Sequence, residues 1–137
     1  MTAQIDINDP EIVAEVRALF ARYEHALVTN DVEILVEMFW AGPKVMRFGV
    51  TENLYGPEEL QTFRKNRPAS NLARTVTRHD IVTFGRDFAS NTLEFERISA
   101  SGTVRGRQSQ VWVRFPEGWK IVQAHVSLLP SASAFPA

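Results

Sequence analysis

Two side chains, Tyr23 and Arg47, have the types and places that best suit chemistry. Tyr23 is in phase with Phe20 and Leu27 on the apolar stripe of a helical pattern. A phenol there is either a core tyrosine whose hydroxyl meets one partner, or, beside a pocket, a donor to a developing oxyanion and a relay for a proton. Arg47 shares a period-two face with Val45 and Gly49. Arginine is seldom buried unpaired, so Arg47 is either half of an ion pair or a two-pronged grip on a carboxylate ligand. Gly49 beside it leaves room for a ligand to approach. Glu52 and Asn53 follow at the end of the same strand, as substrate-binding candidates or as turn chemistry. Glu52 either braces Arg47 or acts as a base. Gln108, Gln110 and Trp112 share one strand face further on. Two neutral amides beside an indole suit a ligand that carries both donors and acceptors. They equally suit a solvated sheet face or a subunit interface.

Other chemistries are excluded. There is no cysteine, which removes disulfides, thiolate nucleophiles and thiolate metal sites. No His, Asp and Glu cluster has metal-ligand spacing, so neither a metal nor a cofactor is expected. Glycine-rich phosphate loops and nucleophile motifs are absent. On the closing strand, Val122, Ala124, Val126 and Leu128 read as the core face, which turns His125 outward. His25 and His79 have no supporting pattern. The net charge of -1, with no lysine and arginine stripe, argues against nucleic acid. No apolar run approaches the roughly 18 residues of a membrane helix, and no signal sequence opens the chain. A cytoplasmic protein is expected.

Something must position those candidates. The 137 residues suit a single domain with one core, 1–8 and 130–137 being loose ends. Asp9 and Pro10 start a helix over about 10–28, with Ile12, Val16, Leu19, Phe20, Tyr23 and Leu27 as its stripe. Asn30 and Asp31 end it and cap a shorter helix over 32–39. From Lys44 the period becomes two; Thr51-Glu52-Asn53 turns; Gly56-Pro57 opens a third helix, with Leu60 and Phe63 inward, that stops by Pro68. Four strands near 72–85, 87–100, 103–115 and 119–129 then form a meander. Helices segregated from a meander give an α+β fold. Curling the sheet round the first helix makes a cone with a pocket at its open end. Residues 1–40 hold eight acids and two arginines, whereas the rest holds eight acids and thirteen bases. That asymmetry reads either as an acidic helical layer on an arginine-bearing sheet or as ordinary surface pairing.

The element order, the turn Glu52-Asn53-Leu54-Tyr55-Gly56 and the ending Gly118-Trp119-Lys120-Ile121-Val122-Gln123-Ala124-His125-Val126-Ser127 resemble the nuclear transport factor 2-like superfamily, in its SnoaL-like branch. Four further blocks resemble the AtzH-like family: Tyr23 to Asp31, Arg47-Phe48-Gly49, Phe63-Arg64 with Arg67-Pro68, and Gly106 to Trp112. The resemblance implies a cone-shaped domain, a homodimer, and work beside an amidase in oxalurate or cyanuric acid catabolism. It implies decarboxylating amidohydrolase activity on a small N-carboxylated urea, 1,3-dicarboxyurea to allophanate, with Tyr23 and Arg47 as the catalytic pair. The alternative is a small-ligand-binding or accessory subunit of an amidase, without turnover. For the dimer, Val111, Val113 and Phe115 form an apolar strip opposite Gln110 and Trp112.

Overall fold

The computed structural model describes residues 4–68, 72–100 and 102–130. Helix α1 spans Pro10–Thr29 and α2 Val32–Glu37. Two short strands, β1 (Met46–Phe48) and β2 (Asn53–Tyr55), precede α3 (Gly56–Asn66). Long strands follow: β3 (Thr75–Phe84), β4 (Phe88–Ser99), β5 (Gly102–Phe115) and β6 (Gly118–Leu128). They form one curved sheet in the order β2-β1-β6-β5-β4-β3, antiparallel except where β1 runs parallel to β6. The α+β architecture is the one the element order predicts. Of the expected loose end over 130–137, residues 131–137 lie outside the described residues.

Capping chemistry sets the helix ends. The Asp9 carboxylate accepts from the Glu11 amide at 3.0 Å, and Pro10 needs no partner at the first position. Asn30 takes the left-handed conformation and returns its amide to the last turn, while the Asp31 carboxylate accepts from the Ile34 amide. Pro68 disfavours a helical Arg67, so α3 stops at Asn66 and Arg67 is extended. Gly56 sits at φ +81°, where a Cβ would be strained.

Two expectations need correction. Asn53 is the first residue of β2, paired with Phe48, and not part of the turn. Three residues are too few to display a period of two. On β6 the core residues are Ile121 and Ala124, with Val122 only half-buried. A register shift opposite Val111 and Trp112 leaves Val122 as an extra residue, so the inward parity changes there. His125 is exposed, as parity requires.

The stripe of α1 packs Ile12, Val16, Phe20, Tyr23, Ala26 and Leu27 against the sheet. Charges reach across the same boundary. Glu24 pairs with Arg74 just ahead of β3, Arg86 reaches Asp9 and Glu11, and Trp119 donates to Glu15 at 3.1 Å. The acidic first helix thus does meet arginines of the later chain.

Candidate functional site

A cavity of about 240 Å3 opens between α1, the end of α3 and the concave face of the sheet. Its size lies below the roughly 300 to 1,000 Å3 of drug-sized ligand sites, so its occupant is small. Tyr23 forms the floor. Arg47, Arg67, Arg74 and Arg97 stand around it, with Glu52 and Gln108 as the other polar walls. Leu27, Phe63, Leu72 and Phe95 supply apolar surface.

Each guanidinium is placed by a different element. Arg47 is buried on β1, where parity puts it beside Val45, and its Nη1 donates to Glu52 Oε1 at 2.9 Å. Arg74 has a side chain only 5% exposed. It binds both Glu24 oxygens, donates from Nη2 to Gln108 Oε1 at 2.8 Å, and lies 4.5 Å above the Phe95 ring. Phe95 in turn rests over Gly106, where a Cβ would come within 2.3 Å of the ring. Arg67 enters from the extended residue after α3. Burial and the neighbouring guanidiniums of Arg64 and Arg47 pull its pKa down to about 10. Buried nitrogens of Arg47, Arg64 and Arg67 have no acceptor among the described residues. Buried cations short of acceptors are costly, and an anion in the cavity would supply the missing charge.

Tyr23 is wholly buried, and its oxygen accepts from Arg64 Nη2 and Gln108 Nε2, both at 3.4 Å. Burial alone would push the phenol up. The guanidiniums of Arg64, Arg47 and Arg74, with the Gln108 hydrogen bond, outweigh it and hold the pKa at about 8. An acid with a pKa near the working pH is well matched to giving up a proton. Glu52 is held below the usual carboxylate range: partial burial raises it, but bonds from Thr51 and Arg47 lower it further. That makes it a poor base and a firm clamp on Arg47. Gly49 serves this clamp, because a Cβ there would fall 1.6 Å from Glu52 Oε1. The room expected there for a ligand is filled by the carboxylate.

Tyr23, Arg47, Glu52 and Gln108 therefore meet at one cavity. Asn53 is exposed and outside it. Gln110 and Trp112 are buried beneath it, on neither a solvated face nor the cavity wall. Gln110 Oε1 accepts from Trp112 Nε1 at 3.0 Å and Asn91 Nδ2 at 3.2 Å, and His79 contacts Asn91 in turn. The two are core residues tied to each other. Arg64, Arg67 and Arg74 were not among the sequence candidates. The legible signal was an arginine at position 64 on the Leu60 and Phe63 stripe, where a helix facing a core carries apolar residues. Among the described residues no three His, Asp or Glu side chains group as a metal site. No described helix is long and apolar enough to cross a membrane.

An AtzH-like family model matches residues 5–132. A crystal structure of a protein with unknown function from Pectobacterium atrosepticum is 48% identical, covers 91% of this chain and 96% of its own, and superposes with a TM-score of 0.87. A cystatin-like fold protein from Burkholderia xenovorans is 41% identical over 93% of this chain and 98% of its own, with a TM-score of 0.85. A nuclear transport factor 2-like superfamily protein from Salmonella enterica shares 18% identity over 93% and 98%, with a TM-score of 0.69, and shows likeness of fold alone. No curated protein matches the sequence.

Proposed function

The chain belongs to the AtzH-like family, and from that premise and the chemistry of its cavity we propose an enzyme that removes one carboxyl group from a small N-carboxylated urea, of the type 1,3-dicarboxyurea to allophanate. The observation that carries this reading is a ring of guanidiniums around a buried phenol. Arg47, Arg67, Arg74 and Arg97 line the cavity against a single lining carboxylate, Glu52. Such a field suits a small dianion.

The step is a carbamate scission. The pair of the C–N bond goes to nitrogen, which takes the Tyr23 proton. A carboxylate oxygen closes the second C=O, and carbon dioxide leaves. The substrate dianion and the phenol become the allophanate anion, carbon dioxide and phenolate, so charge and atoms balance. Solvent then returns the proton to Tyr23. Arg47, fixed at Nη1 by Glu52, offers its Nε–Nη2 edge to one substrate carboxylate. Gln108, whose oxygen is taken by Arg74, presents its NH2 to the Tyr23 oxygen. Work beside an amidase, which would consume the product, belongs to the same proposal.

The test is turnover of freshly generated dicarboxyurea, followed as allophanate formed above the uncatalysed rate. The wild type should accelerate it. Tyr23→Phe should fold and lose on the order of 100- to 10,000-fold in kcat, the usual worth of a positioned proton donor. Arg47→Ala should chiefly raise KM. A wild-type rate no faster than buffer overturns the enzyme reading and leaves a binding protein for small anions.

A further inference from the structure

Arg64 reaches Tyr23 without lining the cavity, and the proposed step leaves it unused. It is 1% exposed, on the inward stripe of α3. Arg47 and Arg74 each have a carboxylate, Glu52 and Glu24. Among the described residues Arg64 has none. Its flanks are the rings of Phe39 and Phe63, each with its centroid 5.9 Å from the guanidinium carbon. Nη1 has no acceptor, and the one hydrogen bond runs from Nη2 to the Tyr23 oxygen. A buried cation in this position has no carboxylate beside it among the described residues, and an ionised phenol would put a negative charge directly on its one side-chain hydrogen bond.

We propose that Arg64 is the positioning residue for Tyr23, aiming its hydroxyl and holding the phenolate left after proton transfer. The kinetic half rests on the reading of Tyr23 as proton donor; the electrostatic half stands without it. Arg64 and Gln108 occupy the two acceptor positions of the phenol oxygen, so the O–H is left a single open direction. Gln108 cannot flip, because its oxygen already takes Arg74. Both bonds are long, at 3.4 Å. Charge-assisted bonds are shorter and stronger, so both tighten as the proton leaves. The enzyme thus carries an oxyanion hole for its own side chain, built before the reaction starts.

The charged groups facing Tyr23 come from several elements. Arg64 lies on α3, Arg67 just after it, Arg47 on β1, and Arg74 ahead of β3; Glu52 and Glu24 partly offset the last two. Neither Arg64 nor Arg67 has a carboxylate among the described residues, and of the two Arg64 is the one hydrogen-bonded to the phenol oxygen, so its loss should matter most.

The experiment is an absorbance titration of tyrosine ionisation in the substrate-free protein. The chain has two tyrosines, Tyr23 and Tyr55, and Tyr23→Phe serves as the blank. The wild type should show a step near pH 8 that the blank lacks. In Arg64→Gln it should move up by about one pH unit or more, and Arg64→Lys should recover part of the shift. The alkaline limb of kcat/KM should follow, with kcat down about ten-fold or more and KM little changed. A step that stays near pH 8 in folded Arg64→Gln overturns the proposal. Should that variant not fold, Arg64→Met is read in its place, since it keeps the apolar contact with Phe39 and Phe63 without the charge, and an unmoved step there overturns the proposal equally. A shifted step in a protein without turnover supports the hold on Tyr23 and removes only the decarboxylase reading.

Discussion

At the scale of single residues, the site turns on which carboxylate neutralises which guanidinium. Glu52 is set on Arg47, and Gly49 exists to let it lie there, since any Cβ would displace its carboxylate. Gly49→Ala and Glu52→Ala should therefore share one phenotype. Each should raise KM and cost about 1–3 kcal/mol of stability, because Arg47 is left buried without its partner. The double variant should cost little more than either single one, since both remove the same pair. Denaturant unfolding of the three proteins measures this, and simple additivity would refute the clamp. Tyr23, Arg47 and Gln108 were legible because each stands on a face whose parity or phase the neighbours declare, and Glu52 because it follows the strand of Arg47 closely enough to reach back to it. Arg74 was not. It lies ahead of β3, where no period applies, and its partners Glu24, Gln108 and Phe95 are remote in sequence.

At the scale of elements, the long strands do more than enclose the cavity. Phe95 on β4 faces Gly106 on β5 in register, so the ring can lie across the glycine. Arg74 stacks on that ring and holds the Gln108 oxygen. Gly106→Ala should force the ring outward, costing about 1–3 kcal/mol as overpacking does. It should also lower kcat although residue 106 touches no substrate, because Arg74 and then Gln108 lose their seats. Unchanged kcat in a destabilised Gly106→Ala would break this link. Helix ends were readable from caps, as Asp9, Pro10, Asn30 and Asp31 show, because capping is local. The parity of β6 beyond Ile121 was not, because an extra residue in one strand is set by its pairing with β5 and leaves no mark on its own sequence. Gln110 and Trp112 were misplaced for a related reason. Face membership was right, but which end of a shared face meets the cavity depends on how the sheet curves over α1.

At the scale of the whole molecule, two properties follow. The homodimer expected from the outer strip has less apolar surface than the sequence suggests, since Phe115 already stacks on Trp40 with centroids 5.7 Å apart. Val111 and Val113 remain half-buried opposite Gln110 and Trp112. Light scattering at micromolar concentration should give twice the 15.5 kDa of one chain, and Val111→Glu should give the monomer; a monomeric wild type refutes the dimer. The second property is a pH-dependent stability written by Tyr23. Its folded pKa is about 8 against the ordinary 10.0. Between those values the unfolded chain binds more protons, so this group adds stability as pH rises, fully above about 10, and loses it as pH falls through about 8. A shift of two units in a wholly buried group is worth on the order of 2–3 kcal/mol. Arg67, lowered to about 10 from 12.5, begins to titrate at the top of that window, so the part below about pH 9 reports Tyr23 most directly. Comparing wild type with Tyr23→Phe cancels the groups that do not interact with Tyr23; Arg64 and Arg67 do interact with it. At fixed protomer concentration and without anions that fill the cavity, the unfolding free-energy gap should widen in favour of the wild type between about pH 7 and 10. A gap that stays constant across that range would mean that Tyr23 keeps its proton in the folded chain, and that the guanidiniums around it serve the ligand alone.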